Sequence, residues 1–266
     1  MNNIFKILSI DFDFFQNVDR NMLSIYPDGI DLPPDLSGMV WASHYMNSVT
    51  SDGRTIDDVA IDIANLWDMM QNIIPYQRYI TPVMICHSHK HIYEFIHDCL
   101  PDTSRPLSVT NIDLHHDMFN DHDFLDCGNW LRYIKDEYKD FKQLWIPKRA
   151  SMDMYGLSDV KDVDEVTYDL SVLDHKKFDA VFLCRSDMWL PPHLDRYFIS
   201  LATKIINSFK TVIGEDSVLK ERDYKGDMMA IKQAYEYFSE HEDEYEGSVR
   251  KVLKRRYCNG NSNTAS

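Results

Sequence analysis

The sequence predicts an α/β protein: a three-layer α-β-α sandwich built on a mostly parallel sheet. Three observations carry this. Short apolar runs alternate with stretches whose apolar residues recur at helical spacing, the pattern of strands joined by helices. The chemically active side chains cluster just past the C-terminal ends of the apolar runs, where open α/β sheets bind ligands. The 266 residues are 44% hydrophobic and 12% aromatic, enough to bury a sizeable core.

Residues 7–10 form an apolar run that leads straight into Asp11 and read as a buried strand. Residues 17–55 carry Pro27, Gly29, Pro33, Pro34, Gly38 and Gly53 and read as a long irregular connection, a kind of segment that is often functional. Residues 56–74 place Val59, Ile61, Ile63, Leu66, Met69 and Met70 at helical spacing. Strands are expected at 83–86, 107–114, 143–146 and 180–184, and helices at 91–100, 124–141, 194–209 and 227–238. Beyond residue 239 the chain becomes strongly polar and ends in NGNSNTAS, so one catalytic domain is expected over 1–240. A polar extension, disordered at its end, is expected over 241–266. No internal repeat is evident.

A formal net charge of −15 argues against nucleic acid as the main partner. It suits a cationic substrate, although acidic surfaces usually serve solubility alone. The five cysteines form no CxxC pair, which points away from a zinc ribbon or a disulfide framework, and Cys86 and Cys184 read as buried small residues. No apolar run approaches the roughly 20 residues that cross a bilayer, and the N-terminus lacks a signal-peptide pattern. A cytoplasmic protein with no membrane partner is the expectation.

The segment Asn111-Ile-Asp-Leu-His-His-Asp117 is the most informative in the chain. Asp113, His115 and Asp117 alternate, so on an extended strand end all three would face one side. Such groups leaving a buried strand are costly unless something pairs them, as a divalent metal does. Asp11 and Asp13 alternate in the same way within DFDFF and would repel each other without a cation between them. Cys86-His-Ser-His-Lys-His91 follows a strand and opens a helix, so one of its histidines would complete a metal shell. Carboxylates and imidazoles without thiolate suit manganese better than structural zinc, though zinc and iron accept the same donors. Two such ions would lower the pKa of a shared water toward neutrality.

Together these motifs resemble the arginase/deacetylase superfamily, with the DFDFF strand placed first in a rearranged order. They resemble more closely a divergent arginase-like family that includes the peptide arginases. Its D-x-D-F-F strand, helix-opening histidine before Phe-Ile, DxHxD and Asn-Trp are matched by Asp11–Phe15, His89 with Phe95-Ile96, Asp113–Asp117 and Asn129-Trp130. Cys184-Arg-Ser186 is also similar, and the likeness spans residues 8–16, 83–131 and 180–192, under half of the chain. The resemblance selects His89 over His87. It implies two Mn2+ ions per chain, one held by His89, Asp113, Asp117 and Asp11, the other by His115, Asp113, Asp11 and Asp13. Asp113 and Asp11 would then bridge, and Asp117 would orient the hydroxide. The implied reaction is hydrolysis of arginine side chains within a ribosomally made precursor peptide to ornithine and urea.

One departure bears on the substrate. Arginases that act on free arginine carry Ser-Gly-Asn-x-His after the DxHxD, whereas this chain has Cys127-Gly-Asn-Trp-Leu131. That weakens the case for free arginine, leaves Asn129 as a substrate-binding candidate, and leaves the proton shuttle among His116, His122 and His44. Asp187 is the expected carboxylate for the guanidinium, its alternative role being to cap the turn before Pro191-Pro192. Arg185 is either a buried structural partner or a contact to the peptide. The competing readings are another metal-dependent C–N hydrolase, such as an amidase, deacetylase or small-guanidine ureohydrolase, and a non-catalytic peptide-binding protein with a structural metal. A homo-oligomer is compatible with all of them.

Overall fold

The structure, a computed structural model, describes residues 4–27, 31–120, 123–154 and 160–241. By its contacts the chain divides into one unit, Met1–Tyr224, and a second that begins at Lys225. The first unit holds a seven-stranded sheet in the order β7-β6-β5-β1-β8-β4-β9. Its strands are β1 (Phe5–Asp11), β4 (Val83–Cys86), β5 (Leu107–Ile112), β6 (Phe141–Ile146), β7 (Glu165–Val166), β8 (Ala180–Cys184) and β9 (Val212–Gly214). Every pairing in it is parallel, so all the C-terminal ends lie along one edge. Two short strands, β2 (Gln16–Asn17) and β3 (Ala60–Ile61), pair antiparallel beside it. The helices are α1 (Arg20–Leu23), α2 (Pro34–Asn47), α3 (Ile63–Asp68), α4 (Ile92–Cys99), α5 (Trp130–Glu137), α6 (Arg149–Met154), α7 (Asp195–Ser208) and α8 (Tyr224–Glu240), of which α8 belongs to the second unit from Lys225 on. The expected α-β-α sandwich is thus present. No helix among the described residues is long and apolar enough to cross a membrane.

Side-chain alternation gives each strand two faces. Ile7, Val109, Phe182 and Cys184 share one face and pack with Phe95, Ile96, Trp130 and Ile134 from α4 and α5. Register places Ser9 beside Asn111 and Phe182, and Asp11 beside Cys184, on that same face. The polar end of the face is therefore a direct continuation of the core. β4 and β5 lie on opposite sides of β1, so the chain crosses over β1 between them, the kind of position at which open parallel sheets place their ligand sites.

The structure corrects several expected elements. Residues 17–55 are not irregular, since they contain α1 and the 14-residue α2, with Pro34 in the first turn. The buried stripe of α2 is Ser37, Gly38, Trp41, Ala42 and Tyr45, whereas Leu36, Met39 and Met46 are exposed, so its apolar pattern does not mark the inner face. The expected 56–74 helix begins only at Ile63, where Asp62 accepts from Asn65 N at 3.1 Å. Upstream, Ala60 and Ile61 are drawn into β3 by pairing with Asn17 and Gln16. The helical path then passes through a π turn, Met69–Ile73, to a last 3₁₀ turn containing Pro75. The expected 124–141 helix is reduced to α5, because Asp126 and Asn129 hold the preceding loop in turns: Gly128 N donates to Asp126 Oδ1 and Asp126 N to Asn129 Oδ1, both at 2.9 Å. The polar tail expected over 241–266 lies, from residue 242 on, outside the described residues.

Candidate metal centre

Asp11, Asp13, His89, Asp113, His115 and Asp117 meet in one buried cluster, and of the six His115 is the most open, at 8% exposure. The routes by which they converge differ from simple alternation on strands. Asp11 ends β1 and caps a 3₁₀ turn, Phe12–Phe15, its Oδ1 accepting from Asp13 N at 3.2 Å. Asp13 therefore enters from a helical turn. β5 stops at Ile112, and residues 113–117 bend back rather than extend. Asp117 sits at φ 54°, a left-handed conformation that aspartate tolerates better than most residues. Leu131 N donates to its carbonyl at 3.2 Å and Trp130 Nε1 to its carboxylate at 2.7 Å, fixing that turn.

Two groups form around Asp113. In the first, His89 Nδ1 lies 3.1 Å from Asp11 Oδ2, 3.2 Å from Asp113 Oδ2 and 3.2 Å from Asp117 Oδ2. In the second, His115 Nδ1 lies 3.0 Å from Asp13 Oδ2 and 3.5 Å from Asp113 Oδ1. Asp113 thus presents one oxygen to each imidazole. Asp11 Oδ2 faces the first group while its Oδ1 accepts the Asp13 amide, so of the two expected bridges Asp113 alone is shared between the two groups.

The distances alone fit a hydrogen-bonded cluster as well as a ligand shell, and the orientations add to them. His89 Nδ1 is near three carboxylate oxygens, yet it is aligned for a hydrogen bond with none among the described residues, and Asp13 Oδ2 is likewise without one. Donors that share an ion at about 2.1 Å sit about 3 Å apart when about 90° apart around it. The observed spacings have room for a common ion. Both carboxylate–imidazole groups, Asp11/His89/Asp113 and Asp13/Asp113/His115, have the spacing to hold one.

Electrostatics point the same way. Burial, and then the neighbouring Asp113, push the Asp11 and Asp117 carboxyls above the usual range. Burial followed by Asp11 does the same to Asp13. Burial alone would depress the two imidazoles, but Asp117 beside His89 and Asp13 beside His115 push both well upward. Asp113, buried but flanked by His115 and His89, is held low. Four carboxylates face two imidazoles, so charging every group leaves two negative charges that need protons or a cation.

Three residues outside the expected set support the cluster. Ser9 Oγ lies 2.7 Å from His89 Nε2 and holds the ring with Nδ1 turned to the carboxylates. Asn111 Nδ2 donates to Asp113 Oδ2 and to Asp117 Oδ2, both at 3.2 Å. Trp130 is the third, through Asp117. Ser9 and Asn111 carry a signal in the sequence: each is a polar residue two positions before an aspartate, in a strand otherwise apolar on that face.

The remaining expectations divide. His89, not His87, joins the cluster; His87 Nδ1 pairs with Glu215 Oε2 at 2.6 Å. Asp187 is engaged within the chain, since Arg185 Nε and Nη2 grip its two oxygens at 2.5 and 2.9 Å, all of it buried. That makes Arg185 a structural partner and leaves Asp187 in no position to take a substrate guanidinium. Asn129 holds its own loop, accepting from Asp126 N and donating to Phe124 O at 2.8 Å, rather than facing a ligand through these atoms. His116 accepts from Met118 N at 3.0 Å and lies against Phe119 and Trp145. His44 Nδ1 is 2.9 Å from Ile25 O, in α2. His122 lies outside the described residues. The His115 ring is 4.3 Å from that of Trp189.

The fold and the site define a buried carboxylate–imidazole centre that could hold a metal ion at the C-terminal edge of a parallel sheet. In comparisons with known proteins, the chain matches no family model, no curated protein sequence and no solved structure.

Proposed function

We propose that the chain is a metal-dependent hydrolase of C–N bonds, a peptide arginase that uses two manganese ions to convert arginine side chains of a ribosomally made precursor peptide to ornithine and urea. The observation that carries the proposal is Asp113, whose two oxygens face two separate imidazole–carboxylate groups. A shared carboxylate is what two closely spaced ions require, and oxygen-rich donors with one imidazole each favour manganese. When bound, such ions would acidify water and offset negative charge on the reacting carbon's substituents.

The chain's own residues supply the rest. Ser9 and Asn111 orient the donors, and the core face of α4 and α5 keeps the inner side dry. Trp189, whose ring lies against His115 and is partly exposed, would serve as the aromatic contact for a guanidinium. The chain's excess of acidic residues favours approach of a cation. With Asp187 paired to Arg185, the aromatic face is the better-supported contact for the substrate's charge. The peptide, rather than free arginine, is supported by Leu131 and Cys127 replacing the residues of the free-arginine pattern. Manganese-loaded protein incubated with arginine-containing precursor peptides should yield products lighter by about 42 mass units per arginine, the CH2N2 lost when water converts a guanidine to an amine and urea. Unchanged peptides, with the ions bound, would overturn the reading.

A further inference from the structure

We infer that His87, His91 and Glu215 form a second, separate site for a zinc-like divalent ion on the outer side of the segment that carries His89. One ligand atom from each of the three lies within 4.8 Å of the others. The placement follows from the local fold. β4 ends at Cys86, and a 3₁₀ turn, His89–His91, leads into α4. His89 turns inward to the aspartates, whereas His87 and His91, four apart in sequence, turn outward with their rings 5.3 Å apart. Glu215 follows β9, the strand paired with β4, and its N–H donates to Ile85 O at 3.3 Å, which fixes it opposite the two rings.

Two features favour an ion over a simple ion pair. His87 already meets Glu215 Oε2 at 2.6 Å, but Glu215 Oε1 is 4.0 Å from His91 Nε2, too far for a hydrogen bond. His91 Nε2 is buried and makes no hydrogen bond among the described residues. Two imidazoles and one carboxylate are the donor set of zinc sites that keep a fourth position open, and they are softer than the oxygen-rich inner cluster. The three residues are partly exposed, unlike the inner six, so the ion would exchange readily with solvent. Its effect would be to tie the end of β4 to β9 and so steady the segment from which His89 projects.

The test is zinc and cobalt binding to the full chain stripped with chelator, in four forms: the parent, Glu215→Gln, His91→Ala and Asp113→Asn. Glu215→Gln keeps the shape of the side chain, and circular dichroism checks that each variant is folded. The parent should bind about one more zinc per chain than either Glu215→Gln or His91→Ala, and these two should lose the visible absorption of cobalt bound through imidazoles at the outer site. Asp113→Asn should keep that outer equivalent while losing uptake at the inner cluster, so failure of either site is read separately. Folded Glu215→Gln and His91→Ala proteins that bind zinc with the parent's stoichiometry and affinity would overturn the assignment.

Discussion

Asp113 organises the inner cluster because its two oxygens face two different imidazoles, and Asn111 steadies one of those oxygens. Asn111→Ala should therefore leave the fold intact and weaken manganese binding by about 10–100-fold, the usual effect of losing a group that orients a ligand, read by calorimetry. Metal uptake should also depend on pH with a definite sign. Burial and mutual repulsion raise Asp11, Asp13 and Asp117, so the ion-free cluster holds protons that an ion must displace. Affinity should rise as pH rises and proton release should accompany binding; uptake indifferent to pH would contradict this. Beside His115, Trp189→Ala should raise KM for an arginine peptide far more than it lowers kcat while metal content stays unchanged. Five of the six cluster residues are evident in the sequence as carboxylates and a histidine just past apolar strands. His89 needed a family resemblance, because His87 and His91 sit in the same segment and only the turn after β4 decides which one points inward. Asp187 misled for a physical reason. Its partner Arg185 stands two residues away, and spacing alone does not reveal that Ser186, at φ 59°, folds the two side chains together.

At the level of elements, the strands and the helices α4, α5 and α7 were legible as regions because burial on one face imposes a period. The helix α2 was not, because its buried face is made of Ser37, Gly38, Ala42 and two aromatics while Leu36, Met39 and Met46 point outward. The short strands β7 and β9 also escaped notice, since edge strands of two and three residues carry little pattern. What fastens α2 is Trp41, fully buried, with its indole N–H donating to Asp187 O at 2.8 Å and its ring 5.2 Å from Tyr26. Trp41→Ala should cost about 3–5 kcal/mol of stability, measured by denaturant unfolding. The same contact joins α2 to the loop that carries Asp187 and Trp189.

Over the first unit as a whole, the parallel sheet sets the chemistry. β4 and β5 lie on either side of β1, so His89, Asp11 and Asp113 reach one point from loops that leave in opposite directions. Beside them a second buried network of Arg185, Asp187, Asp195 and Arg222 joins β8, α7 and the segment before Tyr224. Burial opposes the charge on Asp187, but Arg222 and then Arg185 hold its carboxyl below the usual range. A carboxyl depressed in the folded state contributes stability that is present above its unfolded value and lost as pH falls through the folded one. Stability should therefore decline below about pH 4, the unfolded aspartate range, and Asp187→Asn should flatten that decline in acid unfolding curves.

The central claim is that the six inner residues are a two-ion centre joined by Asp113, and metal stoichiometry tests it most directly. Chelator-stripped parent chain, equilibrated with manganese and analysed by mass spectrometry of the native protein, should bind about two ions at the inner cluster, the number a shared carboxylate serves. Folded Asp113→Asn should bind none there with comparable affinity. A parent chain that takes up no divalent ion, or an Asp113→Asn variant that binds as the parent does, would contradict the account.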